Sequence, residues 1–210
     1  MKMKIELKSV GQRFRYEWIF RKITHTFQSE KSYAILGPNG SGKSTLMKIL
    51  SGHLSPSEGN IEFQNAKKID GDDVHKYISF AAPYIDIIEE MTLFEIIDFH
   101  IKFKPLSNSL KVNELIEILG FQKSIDKEIR FFSSGMKQRL KLALAICSDT
   151  PILLLDEPTT NLDAQGVAWY RQLMQSRSQN TEGSRLVIIA SNIEHDYDFC
   201  DETLNILDFK

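Results

Sequence analysis

The stretch "GPNGSGKST", residues 37–45, constrains this chain more than any other. It satisfies the pattern G-x-x-x-x-G-K-[ST], in which glycines let the backbone turn tightly and aim its N–H groups inward at an anion. Such a loop needs a strand leading in and a helix leading out. Both are legible. "SYAIL" (32–36) is a short apolar strand, and "STLMKILSGHL" places Leu46, Ile49, Leu50 and Leu54 on one helical face. A glycine-rich turn that merely contained a lysine would not bring every fixed position and both flanking elements together. Gly37, Pro38, Asn39, Gly40, Ser41, Gly42, Lys43, Ser44 and Thr45 are therefore expected to hold phosphate groups. Lys43 is expected to reach the β- and γ-phosphates of a nucleotide, and the Ser44 hydroxyl to ligate Mg²⁺.

The rest of the chain supplies a sheet for that loop. "KIELKSV" alternates as a strand should, and "SPSEGN" reads as a turn before a strand "IEFQ". The middle third is helical in period: "MTLFEIIDFHIKF", then "LKVNELIEILG" closed by Gly120. Two wholly apolar runs follow, "ILLLD" and "RLVIIAS", separated by a helix near Gln165 to Gln175. Continuous apolar strands alternating with helices indicate a parallel sheet covered on both faces. The expectation is an α/β fold with a mostly parallel core sheet, an N-terminal antiparallel β part and an inserted α-helical lobe at about 84–137. All of it belongs to one domain, 1–210.

A second acidic motif completes the chemistry. In "PILLLDEP" (151–158) a buried strand delivers Asp156 towards the metal, and Glu157 follows as a general base for an attacking water. Acids often follow strands in ordinary turns, so the pair gains meaning only from the phosphate loop upstream. "FSSGMKQR" (132–139) poses a different question. Serine at a helix start caps unpaired N–H groups, yet the same groups form an anion site.

Composition excludes several alternatives. The chain of 210 residues carries 26 basic and 28 acidic side chains, a net charge of -2, which points to neither nucleic acid nor an acidic tail. Cys147 and Cys200 make no disulfide framework, and Cys147 in an apolar helical run reads as core. His25, His53, His75 and His100 show no ligand spacing and read as structural. No apolar stretch reaches the length of a membrane span, and "MKMKIELKSV" lacks the apolar centre of a signal peptide. A soluble protein in a reducing compartment is the expectation, with any membrane spans supplied by another chain.

The phosphate loop, the serine-led helix, "LLLDEP" and "TNLDAQG" follow one another in an order that resembles the ATP-binding cassette (ABC) ATPases, over essentially the whole chain. The resemblance implies a head-to-tail dimer in which Ser133, Ser134 and Gly135 complete the ATP site of the other subunit. It places Asp163 at the dimer interface and an upstream aromatic against adenine. Phe14, Tyr16 and Trp18 are available, with Phe14 closest to the usual spacing. Three departures stand out. The signature reads Ser134-Gly135-Met136 where the family has two glycines and a glutamine. Pro83 occupies the place of a glutamine that senses Mg²⁺ and water, leaving the neighbouring Tyr84 hydroxyl as a substitute. Asn192 stands where the family has a histidine on the γ-phosphate, and His195, three residues on, reads as a solvated helix-start residue.

The resemblance thus implies an ATPase using ATP and Mg²⁺, slowed by Pro83 and Asn192. Its partners would be a second ATP-binding subunit, a homodimer being the expectation, and a transmembrane permease. Membrane contact would come only through that permease, at the cytoplasmic face, and no nucleic acid is involved. The compact chain without a C-terminal extension resembles single-domain exporter ATPases more than importers with a regulatory tail. A nucleotide-gated switch with little hydrolysis is the rival reading. Translation and repair members of the family carry fused cassettes or long coiled coils, which are missing from this sequence.

Overall fold

The computed structural model describes residues 3–107, 110–177 and 185–210. Along the chain the strands are β1 (Met3–Phe14), β2 (Glu17–Gln28), β3 (Ser32–Leu36), β4 (Glu58–Asn65), β5 (Lys67–Lys68), β6 (Ile78–Ala81), β7 (Ile152–Asp156), β8 (Leu186–Ala190) and β9 (Glu202–Asn205). The α-helices are α1 (Lys43–Leu50), α2 (Leu93–Phe103), α3 (Val112–Leu119), α4 (Ser134–Cys147) and α5 (Ala164–Arg177). Among the described residues the strands form two sheets. One is antiparallel, in the order β2-β1-β4-β5. The other runs β6-β7-β8-β3-β9 and is parallel at every pairing.

The period of the strands explains how two cores are built on one sheet. Every residue of β7 and β8 is buried, and successive side chains point to opposite faces. Ile152, Leu154, Leu186 and Ile188 join the core shared with α1 and the antiparallel sheet. Leu153, Leu155, Val187 and Ile189 join the core shared with α2, α3, α4 and α5. Each such side chain contributes roughly 1.5–3 kcal/mol by leaving water. Because α2 and α3 pack into the same apolar cluster as α4 and α5, the helical insertion has no core of its own.

Local signals set the helix ends. Thr92 Oγ1 accepts from Glu95 N at 3.3 Å while Glu95 Oε2 accepts from Thr92 N at 2.8 Å, a reciprocal cap that starts α2. Gly120, at φ 73°, ends α3. The far end of α4 is fixed by a buried arginine. Arg185 donates to the carbonyls of Ile146 (2.6 Å) and Ala145 (3.0 Å) and to the hydroxyls of Ser79 (2.6 Å) and Thr150 (2.8 Å). A cation at a helix C-terminus complements the macrodipole, although burial lowers the Arg185 pKa to about 10. α4 is thereby locked to β6 and β8 at the end opposite Ser133.

Three local expectations need correction. α1 ends at Leu50, so Leu54 lies beyond it and reaches the core from the following turn. The reason is Gly52, whose φ of 78° breaks the helix while its N–H bonds back to Ile49 O. β4 begins at Glu58, inside the stretch expected to be a turn, because Glu58 pairs with Gly11 and Asn60 with Lys8 of β1. The polar β9 had no signal in the sequence and adds to β3 as an edge strand.

Candidate active site

The loop between β3 and α1 is held open by packing as much as by sequence. At Gly42, with φ 108°, an added Cβ would lie 2.5 Å from the Ile19 side chain, so β2 itself demands glycine there. Gly37 is constrained in the same way by Ser41 and Ile206. Among the described residues no side chain caps α1 and no acid occupies its first turn, so its leading N–H groups and positive dipole end are available to an anion. Lys43, 4% exposed, curls back over the loop and donates to Gly37 O at 2.8 Å and Pro38 O at 3.3 Å. Its ammonium is thus parked at the loop opening on carbonyls that a phosphate would outcompete. From outside, Lys210 Nζ bridges the Ser41 and Ile19 carbonyls at 2.8 Å each, tying the loop to β2.

β7 brings the acids to this loop. Asp156 is fully buried, yet among the described residues neither of its carboxylate oxygens has a close, well-aligned hydrogen-bond partner. Burial raises its pKa, and the nearby hydroxyls of Ser44 and Tyr84 act against that rise. Glu157, half-buried, adopts φ 45°, a left-handed conformation unusual for a non-glycine residue and of the kind stored at functional sites. The conformation is held by its own N–H to Ala190 O at 2.8 Å, and Thr160 Oγ1 donates to its carboxylate at 3.4 Å.

β8 delivers the next group. Ile35 of β3 lies opposite Ala190, and Ser191 N–H continues the ladder to Ile35 O at 3.3 Å. Ser191 Oγ donates to the buried Asp196 at 2.5 Å and accepts from Ile193 N at 3.0 Å, which fixes the turn after the strand. Asn192 then meets the phosphate loop, its Nδ2 donating to Asn39 Oδ1 at 3.3 Å. His195 sits elsewhere, in the 3-10 turn Glu194–Asp196, with Nε2 at 3.4 Å from Thr159 Oγ1. Pro83 follows β6 and its carbonyl accepts from Lys141.

The remaining expected residues lie apart from this cluster. Ser133 caps α4, accepting from Met136 N at 3.2 Å, and Asp163 precedes α5, accepting from Gly166 N at 2.7 Å. Ser133, Ser134 and Asp163 are exposed. They form one surface: an added Cβ at Gly135 would lie 3.1 Å from Asn161 O, and Gln138 Nε2 donates to Pro158 O at 2.8 Å. Phe14 is 51% exposed at the end of β1, and Tyr16 lies free at the hairpin tip. The Arg13 and Arg21 guanidinium groups lie over the Trp18 ring, 5.6 and 4.1 Å from its centroid. Sequence reasoning missed Gln138 and Lys210, whose partners lie far away in the chain, and Asp196, whose role depends on its burial against Ser191.

A glycine loop between a parallel strand and a helix, with a buried aspartate on the neighbouring strand end, defines a P-loop nucleotide-binding ATPase. The ABC transporter family matches residues 20–160. The "Uncharacterized ABC transporter ATP-binding protein YybJ" of Bacillus subtilis is 33% identical over 208 residues, covering 96% of this chain and 92% of that protein. The "Lantibiotic transport ATP-binding protein SrtF" of Streptococcus pyogenes is 34% identical over 200 residues, covering 91% and 81%. Among solved structures, an ATP-binding subunit of an ABC transporter superposes with a TM-score of 0.82 at 21% identity, covering 96% of this chain and 85% of that one. A dimeric cassette in a post-hydrolysis state with ADP and Pi gives 0.80 at 22%, covering 96% and 93%. The chain belongs to the ABC transporter family, and its fold is that of the family's ATPase cassettes.

Proposed function

We propose that this chain is the ATP-hydrolysing subunit of a membrane transporter, acting as a head-to-tail pair that energises a separate permease. The observation that carries the reading is the division of the site. Residues 37–45, Asp156, Glu157 and Asn192 are brought together by the register of β3, β7 and β8, while Ser133 at the start of α4 and Asp163 before α5 are exposed on a separate surface that would receive a partner's phosphate. Two copies would bring each surface to the other's loop.

The residues present fit a divalent cation. Mg²⁺ is commonly held by one or two protein oxygens, nucleotide phosphates and water, so a large acidic cluster is not required. Ser44 and the two unpartnered oxygens of the buried Asp156 supply such a donor set. When bound, Mg²⁺ would neutralise charge on the β- and γ-phosphate oxygens. Lys43 would leave the Gly37 and Pro38 carbonyls for the same phosphates. Glu157, next to the metal carboxylate, would take the proton of the attacking water, and Asn192 would donate to the terminal phosphate.

Among the described residues no helix is long and apolar enough to cross a membrane. The reading pairs this subunit with a transmembrane permease, at the cytoplasmic face of the membrane. A groove of about 440 Å³ lined by Ile85, Ile88, Phe99 and Phe103 is continuous with the segment carrying Tyr84, and gives an apolar cytoplasmic loop of the permease a place to seat beside the site.

Glu157→Gln tests the reading. It should keep nucleotide binding, lose roughly 10²–10⁴-fold in turnover, and trap an ATP-dependent dimer on size exclusion. Turnover equal to that of the parent would remove Glu157 as the base.

A further inference from the structure

The parallel sheet sets what lies behind the phosphate loop. β9 runs beside β3 with Asn205 opposite Leu36, so the chain leaving β9 turns against the start of the loop at Gly37. Asn205 Oδ1 accepts from Leu207 N at 3.1 Å and opens the 3-10 turn Ile206–Phe209. Ile206 is fully buried against the loop glycines: an added Cβ would lie 2.8 Å from its side chain at Gly37 and 3.5 Å from it at Gly42. Lys210 comes next. Its Nζ donates to Ser41 O and to Ile19 O of β2, at 2.8 Å each, so one ammonium joins the loop to a strand of the other sheet. The Ser41 side chain gives the loop no such tie, because its buried hydroxyl has no partner among the described residues.

We propose that Lys210 is a positioning residue for the phosphate loop: by holding the Ser41 carbonyl outward, it turns the N–H of the same peptide, that of Gly42, into the loop towards the nucleotide. The proposal rests on the reading of residues 37–45 as the phosphate site. A trans peptide sets its C=O and N–H on opposite sides, so a bond that fixes one aims the other. Gly42, at φ 108° and without a side chain, constrains that peptide least, and the anchor has to come from outside the loop. The ammonium also polarises the peptide, which makes its N–H a stronger donor to an anion. Lys43 has a different task. Its ammonium leaves the Gly37 and Pro38 carbonyls for phosphate, whereas that of Lys210 stays on its two carbonyls when nucleotide binds.

The test uses the full chain and measures steady-state ATPase kinetics, fluorescent-nucleotide affinity and nucleotide-free melting temperature. Lys210→Met keeps the stem and deletes the ammonium, while Lys210→Arg keeps a donor able to span two carbonyls. Lys210→Met should raise the KM for ATP and weaken nucleotide binding roughly tenfold, the loss of one charge-assisted hydrogen bond, and leave kcat unchanged. Lys210→Arg should restore both KM and affinity. A Lys210→Met protein that binds nucleotide like its parent, while Lys43→Ala loses affinity, overturns the Lys210 assignment and leaves the loop reading intact. Losses that arginine does not rescue, with a fall in melting temperature, would show a merely structural clamp and overturn it too. Parental affinity in Lys43→Ala removes the phosphate-loop reading and the Lys210 proposal together.

Discussion

The side-chain amide of Asn192 donates to Asn39 Oδ1 at 3.3 Å, so the end of β8 and the phosphate loop form one hydrogen-bonded unit. The contact depends on an anchor behind it: Ser191 is fixed to the buried Asp196, whose own carbonyl accepts from Tyr170 at 3.0 Å. His195, on the far side of that turn, points to Thr159 instead. Asn192→Ala should lower the ATPase rate by roughly one to two decades, the range for losing a donor to a charged phosphate. His195→Ala should leave it nearly unchanged. Steady-state phosphate release on both variants decides the matter, and a silent Asn192 variant beside a crippled His195 variant would reverse the assignment.

Lys43 donates to two loop carbonyls in the structure and offers the only ammonium inside residues 37–45. Replacing those neutral acceptors by phosphate oxygens makes each bond charge-assisted on both sides. Lys43→Ala should weaken nucleotide binding by roughly a hundredfold or more. Unchanged affinity in a fluorescent-nucleotide titration would move the phosphate site elsewhere.

Ser133 is exposed at the start of α4 and, among the described residues, makes no hydrogen bond to the phosphate loop of its own chain. In the proposed head-to-tail pair, a Ser133→Arg side chain would fill the space assigned to the partner's terminal phosphate. It should block ATP-dependent dimer formation while sparing nucleotide binding to the monomer. Its cost to stability should be about 1 kcal/mol, that of a lost N-cap. Loss of binding by the monomer would contradict the trans arrangement.

The parts of this protein legible in its sequence are those whose signal is local. Gly37 and Gly42 carry the loop because no other residue tolerates both their φ and their contacts, and β7 and β8 carry the sheet because burial on two faces makes every position apolar but Asp156, at the end of β7. The hidden parts depend on register and long-range pairing. The turn after β6 lies beside Asp156 only because Ala81 lies opposite Leu155, and β9, "ETLN", has one buried side chain, Leu204, to announce it. Lys210 reaches Ser41 and Ile19 across nearly the whole chain, and no spacing rule reports that.

His100 supplies a pH test of the core under the helical insertion. It lies on α2, its Nε2 at 2.8 Å from Ser148 Oγ, and that hydroxyl donates onward to Leu144 O at 2.5 Å. Burial, with the Lys104 charge as a second cause, lowers its pKa to about 4 from an ordinary 6.5. The unfolded chain therefore binds a proton that the folded chain excludes. The stability His100 contributes is complete above pH 6.5 and is lost as pH falls through 4. Burial lowers the pKa of His25 in the same sense, while buried Asp156 and Asp196, raised by burial, act oppositely in acid. The informative quantity is thus the difference between parent and variant. Between pH 7.5 and pH 5 the parent's melting temperature should fall further than that of His100→Gln, which keeps a donor to Ser148 and cannot titrate. Parallel melting curves for the two proteins across that range would show that His100 is not held neutral by its surroundings.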